Sequence, residues 1–198
     1  VKDVFERAEV PYTFAIKPWA RVYRNGLSLN NHMIAGIGRT TKREKQFQWV
    51  GALSKGNDMF FYKLRSSPIK INNIEDAKKY KIAVVRNTYF HEFLIVNNFN
   101  EKNIHVVTKN EQLLELLLAN RDQLFLLSEK RTLSNSKKLE IEPSTFERAL
   151  FAFNVTDYLA LSKKTPSNIF DRLSKSYLSL KKEGKKGEAT LRKSIYKH

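Results

Sequence analysis

The sequence predicts an α/β protein made of two small lobes. Short apolar runs alternate with helix-patterned stretches along the chain, and turn or cap residues separate them at close intervals. There is no repeat and no low-complexity linker, so ordinary strands must join the lobes. The 198 residues suit one or two domains at about 150 residues each, and a hydrophobic fraction of 41% is enough for a core.

Val1, Val4, Phe5 and Ala8 mark one face of a helix already running where the sequence starts, so a preceding segment is expected. Val10, Tyr12, Phe14 and Ile16 alternate as in a strand. Lys17-Pro18 then turns the chain into a helix from Trp19 to about Asn25, with Gly26 as its stop. His32 to Ile37 reads as a buried strand. Thr41 and Glu44 form a capping box, which predicts a helix starting there.

Further on, the strand candidates are Phe60–Leu64, Lys81–Val85, Ile104–Val107, Leu124–Leu127, Phe151–Phe153 and Tyr158–Leu161. Helices are expected at Ile74–Lys79 and His91–Asn97. Another, capped by Thr108 and Glu111, carries the stripe Leu113, Leu114, Leu117 and Leu118. Thr165-Pro166 opens a final lysine-rich helix that Gly184 ends.

The chain has 36 Lys plus Arg against 20 Asp plus Glu, a formal net charge of +16. That excess invites a polyanion partner. Half of it lies between Lys163 and His198, where eleven basic residues face only Asp171, Glu183 and Glu188. Ile169, Phe170, Leu173, Tyr177, Leu178 and Leu180 recur beneath those lysines at helical spacing, so the run reads as the solvated face of terminal helices. No recognised nucleic-acid motif is present. With no cysteine, disulfide scaffolds, thiolate metal sites and thiol nucleophiles are excluded. No apolar run approaches the ~18 residues of a membrane span. The start Val1-Lys2-Asp3 is neither an initiator Met nor a signal peptide, so a soluble, processed or trimmed chain is expected.

Little catalytic machinery is visible. His32, His91, His105 and His198 lack metal-ligand spacing, and neither a nucleophile elbow nor a phosphate-binding glycine loop appears. The scattered acids offer no acid–base pair. No enzyme, cofactor or metal is therefore expected. The remaining concentration of donors is Gly38-Arg39-Thr40-Thr41-Lys42-Arg43, where backbone N–H groups, hydroxyls and guanidinium forks could converge on a carboxylate. The same residues are equally compatible with an ordinary helix cap beside solvated arginines.

Pro18-Trp19-Ala20-Arg21, Gly36 through Phe47 (GIGRTTKREKQF) and Trp49-Val50-Gly51 together resemble the family 3 extracellular solute-binding proteins, the polar-amino-acid receptors of bacterial ABC transporters. Ile82-Ala83-Val84-Val85 with Asn87-Thr88-Tyr89, Leu113–Arg121, and Tyr158 through Lys163 follow in a similar order. The resemblance implies a two-lobe, periplasmic-binding-protein-like fold (type II), with small mixed sheets flanked by helices and two crossing strands as hinge. It puts lobe 1 at residues 1–64 plus 156–198, apparently without its first strand, and lobe 2 at 65–155. It also implies a monomer that closes on a small polar solute, an amino acid or small carboxylate, in a periplasmic or extracellular setting with an ABC permease as partner.

By the same resemblance, Trp19 packs on the ligand, Gly38 and Thr40 offer donors, Arg43 grips the ligand carboxylate, and Thr88 and Tyr89 complete the grip. Trp19 as core and Thr88 as a simple cap are the alternatives. Ser128 stands where the family usually carries the aspartate for the α-ammonium group, which puts a zwitterionic amino acid in question, while Glu129 is expected on the opposite face of a strand. Arg39 either favours an anionic ligand or faces solvent. The competing functional readings are a ligand-sensing domain of a signalling protein and a basic module for nucleic acid or anionic surfaces.

Overall fold

The computed structural model describes residues 1–184, so Lys185, Lys186, Glu188, Arg192, Lys193, Lys197 and His198 lie outside the described residues. The chain divides into two compact units. The first holds Val1–Lys17, Arg21–Gly56 and the chain from Val155 onward; the second holds Pro18–Ala20 and Asn57–Asn154.

In the first unit, strands β1 (Met33–Gly38) and β2 (Phe47–Ala52) flank β8 (Asp157–Ser162), and both pairings are antiparallel. Leu159, Ala160, Leu161 and Ser162 are all buried, as suits a central strand. A register shift between Ala35 and Ile37 falls at Gly36, whose φ of +88° a side-chain-bearing residue rarely adopts. Helices α1 (Lys2–Arg7) and α7 (Ser167–Lys182) cover this sheet, with Val4, Ala8, Val50, Leu53, Leu159, Leu161, Leu173, Tyr177 and Leu180 in one core. Polar contacts fix their docking: Ser176 Oγ donates to the Val4 carbonyl at 2.8 Å, Tyr177 donates to the Ala52 carbonyl at 2.6 Å, and Arg7 pairs with Glu183.

The second unit is a five-stranded sheet in the order β5 (Ile104–Val107), β4 (Ile82–Val85), β6 (Leu124–Ser128), β3 (Asn57–Leu64), β7 (Phe146–Val155). Strand β4 runs parallel to both β5 and β6, whereas β3 is antiparallel to β6. Every residue of β4 and β6 is buried, which accounts for their unbroken apolar runs in sequence. Helices α3 (Ile74–Ala77), α4 (Tyr89–Val96), α5 (Glu111–Leu118) and α6 (Glu129–Lys138) complete the unit. Aromatic pairs bind strands to helices, among them Phe93 with Phe153 at 4.5 Å and Phe61 with Phe93 at 6.3 Å between ring centroids.

Several local expectations are corrected. Residues 10–16 form no strand: Pro11 offers no N–H, and Phe14 and Ile16 remain 50% and 76% exposed, so the alternation finds no core to face. Helix α2 (Trp19–Ser28) runs through Gly26, because that glycine permits close packing rather than a stop; a Cβ there would lie 2.5 Å from Ile34 Cδ1. Thr41–Gln46 is a turn, not a helix. Glu44, read as the capping partner, is instead held by Arg39, and the chain must enter β2 at Phe47. The cap before α5 uses Gln112, whose Oε1 accepts from the Thr108 and Lys109 amides, rather than Glu111. Thr165 makes no cap bond, since the N-cap position of α7 falls on Pro166. Finally, Glu129 opens α6 instead of continuing a strand.

Candidate functional site

Gly38 ends β1 opposite Asp157, and Arg39 donates its amide to the Thr156 carbonyl at 3.3 Å, so β8 fixes the start of the donor-rich segment. The chain then folds back tightly. The Arg43 amide donates to the Thr40 carbonyl at 3.0 Å, and the Gln46 amide to the Arg43 carbonyl at 2.9 Å. This fold-back carries the Arg43 side chain fully inside, at 0% exposure. Its Nη1 donates to the Gly38 carbonyl at 3.3 Å, and its guanidinium lies 4.9 Å from the centre of the Tyr23 ring. Tyr23 is itself fixed by donating to Gln46 Oε1 at 2.6 Å. A buried guanidinium is costly unless its donors and charge are met. Arg43 is thus held inside the first unit, with its guanidinium met by the chain's own carbonyl and ring; guanidinium forks are the groups that suit carboxylates.

Arg39 makes a separate set of contacts. Its Nε and Nη2 donate to the Glu44 carboxylate at 2.8 and 2.6 Å, and its guanidinium lies 5.2 Å from the centres of both the Trp49 and Tyr158 rings. The hydrogen bonds from Arg39 hold the Glu44 carboxyl below its ordinary pKa. The Arg39 side chain is half-exposed.

The other sequence-selected residues lie in the second unit. Asn87 adopts a left-handed conformation at φ 59°, and its carbonyl accepts a 2.7 Å hydrogen bond from the Trp19 indole. Thr88 caps α4: its hydroxyl accepts from the His91 amide at 3.3 Å and donates to the Val85 carbonyl at 2.7 Å. Tyr89 is buried against Phe90, at 4.5 Å between centroids. Ser128 plays the same part for α6, accepting from the Arg131 amide at 3.4 Å. Because β4 and β6 are adjacent and parallel, α4 and α6 both start at carboxyl ends of neighbouring strands, where open α/β sheets hold ligands. Arg131 ties the two starts together, lying 5.9 Å from both the Tyr89 and Phe90 ring centres. Two helix N-termini and a guanidinium make this corner favourable for negative charge.

The candidate residues thus form two groups: Gly38, Thr40 and Arg43 in the first unit, and Trp19, Thr88, Tyr89 and Ser128 in the second. Tyr23, Asn87 and Arg131 were not singled out as site residues from sequence. Arg131 would have been found as the third residue after a helix cap at Ser128, had α6 been read as a helix. Among the described residues no group of three His, Asp or Glu side chains could hold a metal, and no helix is long and apolar enough to cross a membrane.

The architecture is that of the periplasmic-binding-protein-like α/β structures. A histidine kinase sensor domain with similarity to periplasmic binding proteins matches with a TM-score of 0.82 and 16% identity, over 98% of this chain and 82% of that one. A mutant of ArgBP from T. maritima gives 0.78 at 14%, over 100% and 82%. The arginine-, lysine-, histidine-binding protein ArtJ from the thermophilic bacterium Geobacillus stearothermophilus gives 0.74 at 15%, over 100% and 83%. At such identities the likeness is one of fold. No protein-family model matches the chain, and no curated protein matches it.

Proposed function

We propose that this chain is a non-enzymatic solute-binding protein for a small polar solute bearing a carboxylate or similar anionic group. The observation that carries the reading is Arg43: a fully buried guanidinium, oriented by the Gly38 carbonyl and the Tyr23 ring, in a fold shared with amino-acid-binding proteins. In this reading Arg43 anchors the carboxylate, the backbones of Gly38 and Thr40 assist it, and the starts of α4 and α6 at Thr88, Tyr89 and Ser128 supply the second unit's donors. Trp19 contributes an aromatic surface. With Ser128 as a neutral cap, that position offers no carboxylate to an ammonium group, which favours an acid over a zwitterion. The setting proposed is periplasmic or extracellular, as a monomer that delivers solute to an ABC-type permease. The match to a sensor domain supports a second reading, in which the same solute binding drives signalling.

Thermal unfolding against a panel of amino acids, small mono- and dicarboxylates and amines tests the solute class. A true ligand at 100 to 1,000 times Kd adds about 3 to 4 kcal/mol to the stability of the folded state. The expected result is a raised midpoint with a carboxylate that is lost in Arg43→Ala. Amines alone raising the midpoint, or a shift untouched by that substitution, would sink the proposal.

A further inference from the structure

Arg39 opens the segment 39–46 between β1 and β2, Glu44 lies near its end, and Arg43 sits between them. The solute grip proposed above uses neither Arg39 nor Glu44. An exposed ion pair is ordinarily worth little, unless its geometry is bidentate or it belongs to a network. Both conditions are met here. Arg39 Nε donates to one Glu44 carboxylate oxygen at 2.8 Å and Nη2 to the other at 2.6 Å, a planar fork that closes the chain across five residues.

Two paired strands supply the floor of this closure. Trp49 of β2 and Tyr158 of β8 pack ring against ring at 5.6 Å, and the Arg39 guanidinium lies 5.2 Å from both ring centres. The Trp49 indole also donates to the Glu44 carbonyl at 3.1 Å, so one ring holds the backbone of the residue whose carboxylate Arg39 holds. The segment is thus pinned to the sheet at both ends, by the Arg39 amide on the Thr156 carbonyl and by the indole on Glu44. Between those pins lie the bonds that shape the turn around Arg43: its amide on the Thr40 carbonyl, and the Gln46 amide on the Arg43 carbonyl. A side chain carried on a turn is aimed only as firmly as the turn is closed.

We propose that Arg39 is a positioning residue: by clasping Glu44 and lying on Trp49 and Tyr158, it holds the turn closed and keeps the Arg43 guanidinium aimed at the carboxylate of the solute. Resting on the solute reading and deepening it, this makes Arg39 a support of the grip instead of a second cation within it. The two roles differ in sign at Glu44. Acting through charge alone, the Glu44 carboxylate repels an anionic solute, and its removal would tighten binding. Acting as half of a clasp, its removal loosens the turn and weakens binding. The roles also separate at Arg39→Lys, which keeps the charge and loses the fork and the planar stacking.

Two measurements on the parent, Glu44→Gln and Arg39→Lys test it: amide hydrogen exchange in the free protein, and titration calorimetry with the carboxylates of the thermal panel, glutamate and succinate among them. In both variants the Arg43 and Gln46 amides should exchange about tenfold faster or more, and the carboxylate should bind about tenfold more weakly. Glu44→Gln that binds as tightly as the parent or tighter, Arg39→Lys that binds like the parent, or exchange that neither variant alters would each overturn the assignment. A parent that binds none of these carboxylates removes the solute reading, and the exchange rates then decide by themselves whether Arg39 holds the turn. Circular dichroism melts check folding. Should either variant fail to fold, Trp49→Phe, which keeps a ring and loses only the indole donor, is held to the same faster exchange.

Discussion

Gly51 shows how one residue can set the packing of the first unit. A Cβ at this position would lie 2.1 Å from the Tyr177 ring, and that ring cannot swing aside without breaking its hydrogen bond to the Ala52 carbonyl. Gly51→Ala should therefore cost about 1 to 3 kcal/mol, read as a lower urea midpoint with little change in slope. Asp122 gives a pH-dependent counterpart. Burial pushes its carboxyl above the ordinary carboxylate range, and His105, 3.1 Å away, pulls it only part of the way back. A carboxyl raised in the folded state favours folding while protonated, and it loses that contribution as pH climbs from its unfolded value through its folded one. Asp122→Asn, which stays neutral, should consequently gain thermal midpoint relative to the parent over the range climbing from about pH 4, the ordinary carboxylate value. A gap that stays constant or narrows over that range would contradict this. Neither site was legible in the sequence. Asp122 is one acid among many until the fold buries it, and Gly51 is a glycine within a strand-patterned run. From residue chemistry alone Arg43 stood out only as a member of a donor-rich block, and it was the family resemblance that separated it from Arg39; that the turn folds Arg43 inward was not legible.

At the level of elements, the helix starts after β4 and β6 depend on side-chain caps from Thr88 and Ser128. Ser128→Ala should destabilise the second unit by about 1 kcal/mol in chemical denaturation, and it should leave solute affinity changed less than Arg43→Ala does. The elements legible in sequence were those whose apolar pattern matches their burial. Ile104–Val107 agrees with β5 to the residue, and β4 differs only at Lys81. Helix α6 was missed for a physical reason. Its buried positions are Thr132 and Ser136, spaced as a helix requires but polar, while Leu133 is exposed, so hydrophobic periodicity carries no signal there. Thr132 is accommodated because its hydroxyl donates to the Ser128 carbonyl at 3.1 Å. The opposite error occurred at Val10–Ile16, where a strand-like alternation exists and no neighbouring strand takes it up.

For the whole molecule, the strand–helix order and the return of the chain to its first unit at Val155 reproduce a two-unit architecture, and the match to solved structures covers 98% or more of the chain in the three described. Alternation of short strands and helices made that architecture readable, whereas the strand order within each sheet depends on pairings that no local pattern encodes. The account's central claim is that Arg43 meets a carboxylate of the solute. Titration calorimetry with a carboxylate found by the thermal screen, and with its neutral amide analogue, tests this in the parent and in Arg43→Lys, a variant that keeps a cation in place. The account predicts strong coupling: the substitution removes much of the affinity for the carboxylate and little of whatever affinity the amide retains. Equal losses for both ligands would contradict it.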